Sequence, residues 1–230
     1  GDWSSDVCSS DLNAYAVKNQ GSCGSCWAFA AMGVVEAMKS IKDSTATGVY
    51  VAPVRLSEQE QVDCTSNTTA NVAMFGKSYG NSGCSGGWMT NAWNFSRDWG
   101  MMTNADYAYT AVNGTCKYDR TKALLKTGLY GTVTSATALT RLAKGPMSIA
   151  VAAGNSVWRY YRSGFLTSAD LCPTALDHGV MLVGYDTAPI GTVTCRDATS
   201  AEKTAAKCAD GTTYNSTTGR CCKAPSRSEE

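Results

Sequence analysis

Cys26 is the residue of this chain best placed to do chemistry. It closes the polar, glycine-rich run Lys18-Asn19-Gln20-Gly21-Ser22-Cys23-Gly24-Ser25 and opens the apolar run Trp27-Ala28-Phe29-Ala30-Ala31-Met32, which suits a helix. The thiol is therefore expected at a helix N-terminus, where free backbone amides and the positive end of the helix dipole favour a thiolate. A thiolate is a strong nucleophile, and covalent catalysis by one needs a proton carrier beside it. The only histidine of the chain is His178.

Other patterns compete for the same residues. Cys23-x-x-Cys26 matches a dithiol redox motif, but that motif follows a strand, and here a polar loop leads in. Gly83-Cys84-Ser85-Gly86-Gly87 has the spacing of a serine-nucleophile elbow, yet Asn81-Ser82-Gly83 makes a poor strand before it. Gly76-Lys77-Ser78 lacks the first glycine and the leading strand of a phosphate loop.

Two textures of sequence have to position these groups. Residues 13–125 read as a mainly helical lobe. No residue from Trp27 to Val35 is charged, so the Cys26 helix is expected to be buried on every side, with Glu36, Lys39 and Lys42 on its later turns. Ser57-Glu58-Gln59-Glu60 reads as a capping box opening a short helix that ends near Cys64, and 65–71 as a surface loop. A further helix runs from Trp88 to Trp99 and stops at Gly100. From 126 to 186 the runs become β-prone, at Gly128–Val133, Ser148–Ala152 and Val180–Tyr185, with one helix over Ser135–Ala143. Cys26 in one lobe and His178 in the other are expected to meet at a cleft.

Composition narrows the function classes. The 230 residues are 43% hydrophobic with a net charge of +1 and no charged run, which argues against nucleic acid and anionic membrane as partners. Eleven cysteines beside one histidine point to an oxidising compartment and disulfides rather than to a metal site. Sequons at Asn67, Asn94, Asn113 and Asn215 fit that compartment. Residues 1–12 resemble a translated sequencing adapter and 227–230 a fragment of its opposite end, so both are set aside as non-native.

Cys23-Gly24-Ser25-Cys26-Trp27 resembles the nucleophile signature of the papain and cathepsin L-like cysteine proteases, which keep a histidine about 130–150 residues downstream; His178 lies 152 residues beyond Cys26. Leu176-Asp177-His178-Gly179-Val180 is similar to the histidine segment of that family, and Gln20 stands where it keeps an oxyanion-hole glutamine. The resemblance implies an α+β, two-lobed papain-like fold with an incomplete β-rich C-terminal lobe. It also implies a cysteine endopeptidase without cofactor or metal, in which Cys26 attacks, His178 carries the proton and Gln20 holds the oxyanion.

The same resemblance implies that Gly86 and Gly87 admit the substrate backbone. Trp88, Met89, Ala150, Leu176 and Asp177 would lie at substrate-binding positions, giving an apolar preference at the second residue before the cleaved bond. It pairs Cys23 with Cys84 and Cys64 with Cys116. Peptide or protein substrates, the protein's own propeptide and cystatin-type inhibitors are the implied partners of a monomeric, lysosomal, vacuolar or secreted zymogen. The family's Asn-Ser-Trp-Gly segment does not follow Tyr185-Asp186. Residues 187–226 read instead as a cysteine-containing insertion or irregular segment. The alternative is therefore a catalytically inactive homologue of the same fold that binds or traps inhibitors.

Overall fold

The structure is a computed structural model that describes residues 17–154, 158, 160, 175–185, 194–197, 199–205, 208–209, 213–215 and 220–223. These divide into two compact units. The first holds the described residues up to Val151 together with 178–185, and the second holds the remainder.

In the first unit the apolar run after Ser25 becomes one long helix, α1 (Cys26–Thr47). It ends where Gly48, at φ +70°, donates its amide back to the Ser44 carbonyl oxygen at 2.9 Å. Burial on α1 extends to Ala30, Glu36 and Ser40. Trp27, Ala28, Ala31 and Met32 are buried, whereas Phe29, Gly33, Val34 and Val35 are only half-buried. The expectation of burial on every side is corrected, because part of this helix borders a pocket. Glu36, on the later turns, is 5% exposed.

Helix α2 (Glu58–Cys64) is buried along its whole length despite its polar sequence. Two of its side chains bond the 107–114 segment: Gln59 donates to the Val112 carbonyl oxygen, and Asp63 accepts from Gly114 N and Tyr107 Oη. Only half of the expected capping box forms. Ser57 Oγ accepts from Glu60 N at 2.9 Å, but the Glu60 carboxylate turns inward to accept the Met102 amide at 3.0 Å. The loop expected over 65–71 is shorter than that, because Thr68 caps α3 (Thr69–Phe75).

Helix α4 (Met89–Asp98) follows, and Gly100, at φ +105°, lies just past its end. Two apolar clusters hold these helices. Trp27, Met32, Leu56, Val62, Ala92 and Met101 belong to one, and the ring-rich set Phe75, Tyr79, Phe95 and Tyr107 to the other. In the second, Phe75 and Phe95 meet edge to face at 5.0 Å. The expected disulfides Cys23–Cys84 and Cys64–Cys116 both form. Each closes a long loop, which stabilises the fold by about 2–4 kcal/mol.

A 3-10 turn at Arg120–Lys122 precedes α5 (Ser135–Leu142), whose N-terminus carries a complete Thr134/Thr137 capping box. No strand forms over 128–133, where Leu129 is 92% exposed; β-branched sequence there finds no neighbouring strand. Strands β1 (Met147–Val151) and β2 (His178–Leu182) pair antiparallel with Val151 opposite His178 and Ala150 opposite Gly179. Both strands contact α1.

The second unit contains β3 (Thr194–Asp197), α6 (Ser200–Ala205), β4 (Thr213–Asn215) and β5 (Arg220–Lys223). The strands form an antiparallel sheet in the order β3-β5-β4. Thr199 and Glu202 cap α6 reciprocally: Thr199 N donates to Glu202 Oε2 at 2.8 Å and Glu202 N donates to Thr199 Oγ1 at 3.3 Å. Cys172 and Asp186 lie outside the described residues.

Candidate active site

Cys26 is the first residue of α1 and a half-buried free thiol. Ser25 precedes it at φ −102° and ψ 16° and does not cap the helix with its side chain. The amides at this end are thus left without a side-chain acceptor, which suits a developing negative charge. Cys23 is held in its disulfide with Cys84, so the dithiol expected of a Cys23-x-x-Cys26 redox centre does not exist here.

The loop before Cys26 is tied down at several points. Gly24 N donates to the Cys84 carbonyl oxygen at 2.9 Å, and a Cβ on Gly24 would stand 2.5 Å from that oxygen. Only glycine allows this approach. Gln20 Nε2 donates to the Cys23 carbonyl oxygen at 3.0 Å, which uses one of its two hydrogens and leaves the second for another acceptor. Tyr109 Oη donates to the Gln20 carbonyl oxygen at 2.7 Å.

A partly buried ion triad anchors the same loop to two helices. Lys18 Nζ lies 2.6 Å from Glu36 Oε1 of α1 and also contacts Glu58 of α2. Glu36 Oε1 accepts the Leu56 amide at 2.7 Å as well. Burial raises the Glu36 pKa above its ordinary value, with the Lys18 ammonium opposing the shift.

His178 arrives from the far end of the sequence as the first residue of β2. Its neighbour Gly179 sets how closely β2 approaches α1. A Cβ there would meet Met89 Sδ at 3.3 Å and Trp27 Cα at 3.4 Å. Gly179 thus seats against Trp27, the residue that follows Cys26. Gln20, Cys26 and His178 consequently line one pocket of about 490 Å³, together with Phe29, Ala30, Gly33 and Met181. Lys18 and Glu36 reach the same pocket.

The remaining expected positions lie elsewhere. Gly86 sits at φ +112°, and a Cβ on Gly87 would fall 2.6 Å from Asn81 Oδ1, so each needs glycine for its local geometry. Trp88 is 63% exposed, with its amide donating to Asn81 Oδ1 at 2.8 Å. Met89 is half-buried against the Trp27 cluster, and Ala150 lies opposite Gly179 in the sheet. Leu176, 65% exposed, and Asp177, which accepts the Ala153 amide at 2.7 Å, belong to the second unit. Among the described residues, none of these seven lines the pocket that holds Cys26.

Sequence reasoning passed over Tyr109, Ser25 and the Lys18-Glu36-Glu58 triad. A signal existed for one of them: Glu36 lies one helical turn beyond the apolar Met32, on the same helix face, where a lone carboxylate demands a cationic partner.

The family model described as papain family cysteine protease matches residues 2–197. The chain is similar to the digestive cysteine proteinase 3 of Homarus americanus, 37% identical over 74% of this chain and 49% of that protein. It is also similar to cathepsin L 1 of Paramecium tetraurelia, 38% identical over 74% and 47%. The chain thus spans about half the length of these curated relatives. Among solved structures it is similar to the digestive procathepsin L 3 of Tenebrio molitor larval midgut. That similarity has a TM-score of 0.58 and 30% identity, and covers 77% of this chain and 55% of the other.

Proposed function

The chain belongs to the papain family of cysteine proteases, and from that premise we propose that it is the nucleophile-bearing part of an endopeptidase that cleaves peptide bonds through an acyl-enzyme on Cys26. The observation that carries this reading is the free thiol at the α1 N-terminus sharing one pocket with His178 and Gln20.

Cys26 Sγ, as thiolate, attacks the scissile carbonyl carbon, and the carbonyl π electrons move to oxygen. The second hydrogen of Gln20 Nε2 and the Cys26 backbone amide meet that oxyanion; losing such a donor costs about 10²–10³ in rate. Collapse of the intermediate expels the amine, which takes its proton from His178 as imidazolium. Water then enters, His178 accepts its proton, and the thioester breaks to regenerate the thiolate.

By family position, Trp88, Met89 and Ala150 form an apolar seat for the second residue before the scissile bond, with Gly86 and Gly87 along the substrate backbone. Burial of a Leu, Val or Phe there is worth about 1–3 kcal/mol. The similarity to a procathepsin supports synthesis as a zymogen held by a propeptide. Both disulfides, and relatives described as digestive, support secretion or delivery to a lysosome-like compartment. Among the described residues no helix is long and apolar enough to cross a membrane.

An epoxide thiol probe tests the reading. Covalent labelling of the folded protein that disappears in Cys26→Ala supports it. A folded sample that takes no label overturns it in favour of a homologue that binds without turnover.

A further inference from the structure

We propose that Tyr109 is a positioning residue for the reaction, one hydroxyl that fixes the spacing between the two oxyanion donors. The inference rests on the oxyanion roles given above to Gln20 and the Cys26 amide.

The hydroxyl stands between the two ends of the nucleophile loop. Tyr109 Oη is 2.7 Å from the Gln20 carbonyl oxygen, which can only accept, so the phenolic hydrogen points there. Ser25 Oγ lies 2.6 Å from the same Oη and therefore donates to it. A directed chain results, from Ser25 to Tyr109 to Gln20. Gln20 carries the side-chain donor, and the peptide joining Ser25 to Cys26 carries the backbone donor. The phenol thus spans two groups that are six residues apart in sequence and must converge on one oxygen atom.

The bridge is rigid. The Tyr109 ring meets Phe29 edge to face at 4.9 Å and 84°, and Phe29 lies on α1 beside the nucleophile and lines the pocket. Ser25 is fully buried, so water does not compete for its hydroxyl. Burial also raises the Tyr109 pKa above its ordinary value, which keeps the phenol protonated as a donor throughout the acidic and neutral range. The hydroxyl touches neither the thiol nor the imidazole, so its effect is confined to oxyanion geometry, where displacements of about 1 Å cost up to 10²-fold in rate.

Tyr109→Phe in the full-length protein tests this, because it keeps the ring and its contact with Phe29 and removes only the bridge. The expected result is a fall in kcat of about tenfold with KM for a peptide substrate unchanged. Alkylation of Cys26 by iodoacetamide, which develops no oxyanion, keeps its wild-type rate. In a Gln20→Ala background the same substitution costs less than about twofold, because one of the donors it spaces is gone. Ser25→Ala, which breaks the chain from its other end, repeats the pattern. A folded Tyr109→Phe with wild-type kcat overturns the proposal, as does an equal loss in both backgrounds or an equal loss of alkylation rate. Wild-type protein that neither turns over peptide nor alkylates at Cys26 overturns the cysteine peptidase reading itself, a result distinct from these.

Discussion

Glu60→Gln isolates the effect of pH on folding. The Glu60 side chain is wholly buried, with Oε2 accepting the Met102 amide at 3.0 Å and Oε1 without a hydrogen-bond partner. Burial pushes its pKa from 4.5 to about 8, and the Met102 amide offsets part of that rise. In the unfolded chain the carboxyl returns to about 4.5. Between these values the folded state holds a proton that the unfolded state has released, so stability falls as pH rises. The contribution is fully present below the unfolded value and lost toward about pH 8. At about 1.4 kcal/mol per pH unit, going from pH 4.5 to about pH 6 removes about 2 kcal/mol, and going on to about pH 8 removes roughly as much again or more. Glutamine keeps a carbonyl acceptor for the Met102 amide and does not titrate. Urea unfolding of both proteins across that range, with the difference in unfolding free energy plotted against pH, reads the effect directly. The difference should move by about 2 kcal/mol between the first two pH values. A difference that stays flat refutes the reasoning, since it would mean that Glu60 titrates alike in both states.

Two substitutions probe the supports of the site. Lys18→Met leaves Glu36 and Glu58 facing each other without their ammonium, and should cost about 3 kcal/mol near neutral pH but less in acid, where a carboxylate takes up a proton; thermal melts at several pH values check this. Gly179→Ala places a methyl 3.4 Å from Trp27 Cα and 3.3 Å from Met89 Sδ. Met89 can yield but the α1 backbone cannot, so β2 and His178 should shift by a few tenths of an ångström, with kcat falling about tenfold and stability nearly unchanged.

The sequence was most legible where local chemistry and long-range structure agree. Cys26 at the head of a helix, the Gly100 stop of α4 and the helix over 135–142 each depend on residues within a turn or two, and each forms. It was least legible where tertiary partners decide. Glu60 has the right spacing for a capping box, yet the buried Met102 amide claims its carboxylate. Gly128 to Val133 has strand-like composition, but without a partner strand it stays irregular. In the site, Cys26, Gln20 and His178 were visible by type and context. Tyr109 was not, because a tyrosine 83 positions along the chain from the nucleophile carries no local sign that its hydroxyl will find Gln20 and Ser25.

His178 reaches the pocket only through β2, whose partner strand and supporting helix are made much earlier in translation. A ribosome adding about 5–20 residues per second needs on the order of ten to thirty seconds to travel from the nucleophile to the histidine. Over that interval α1, α2 and α4 can gather and both disulfides can close. The nascent chain therefore exposes a sulfur with no imidazole to work with. The imidazole arrives with β2, after every residue of the helical scaffold has been made.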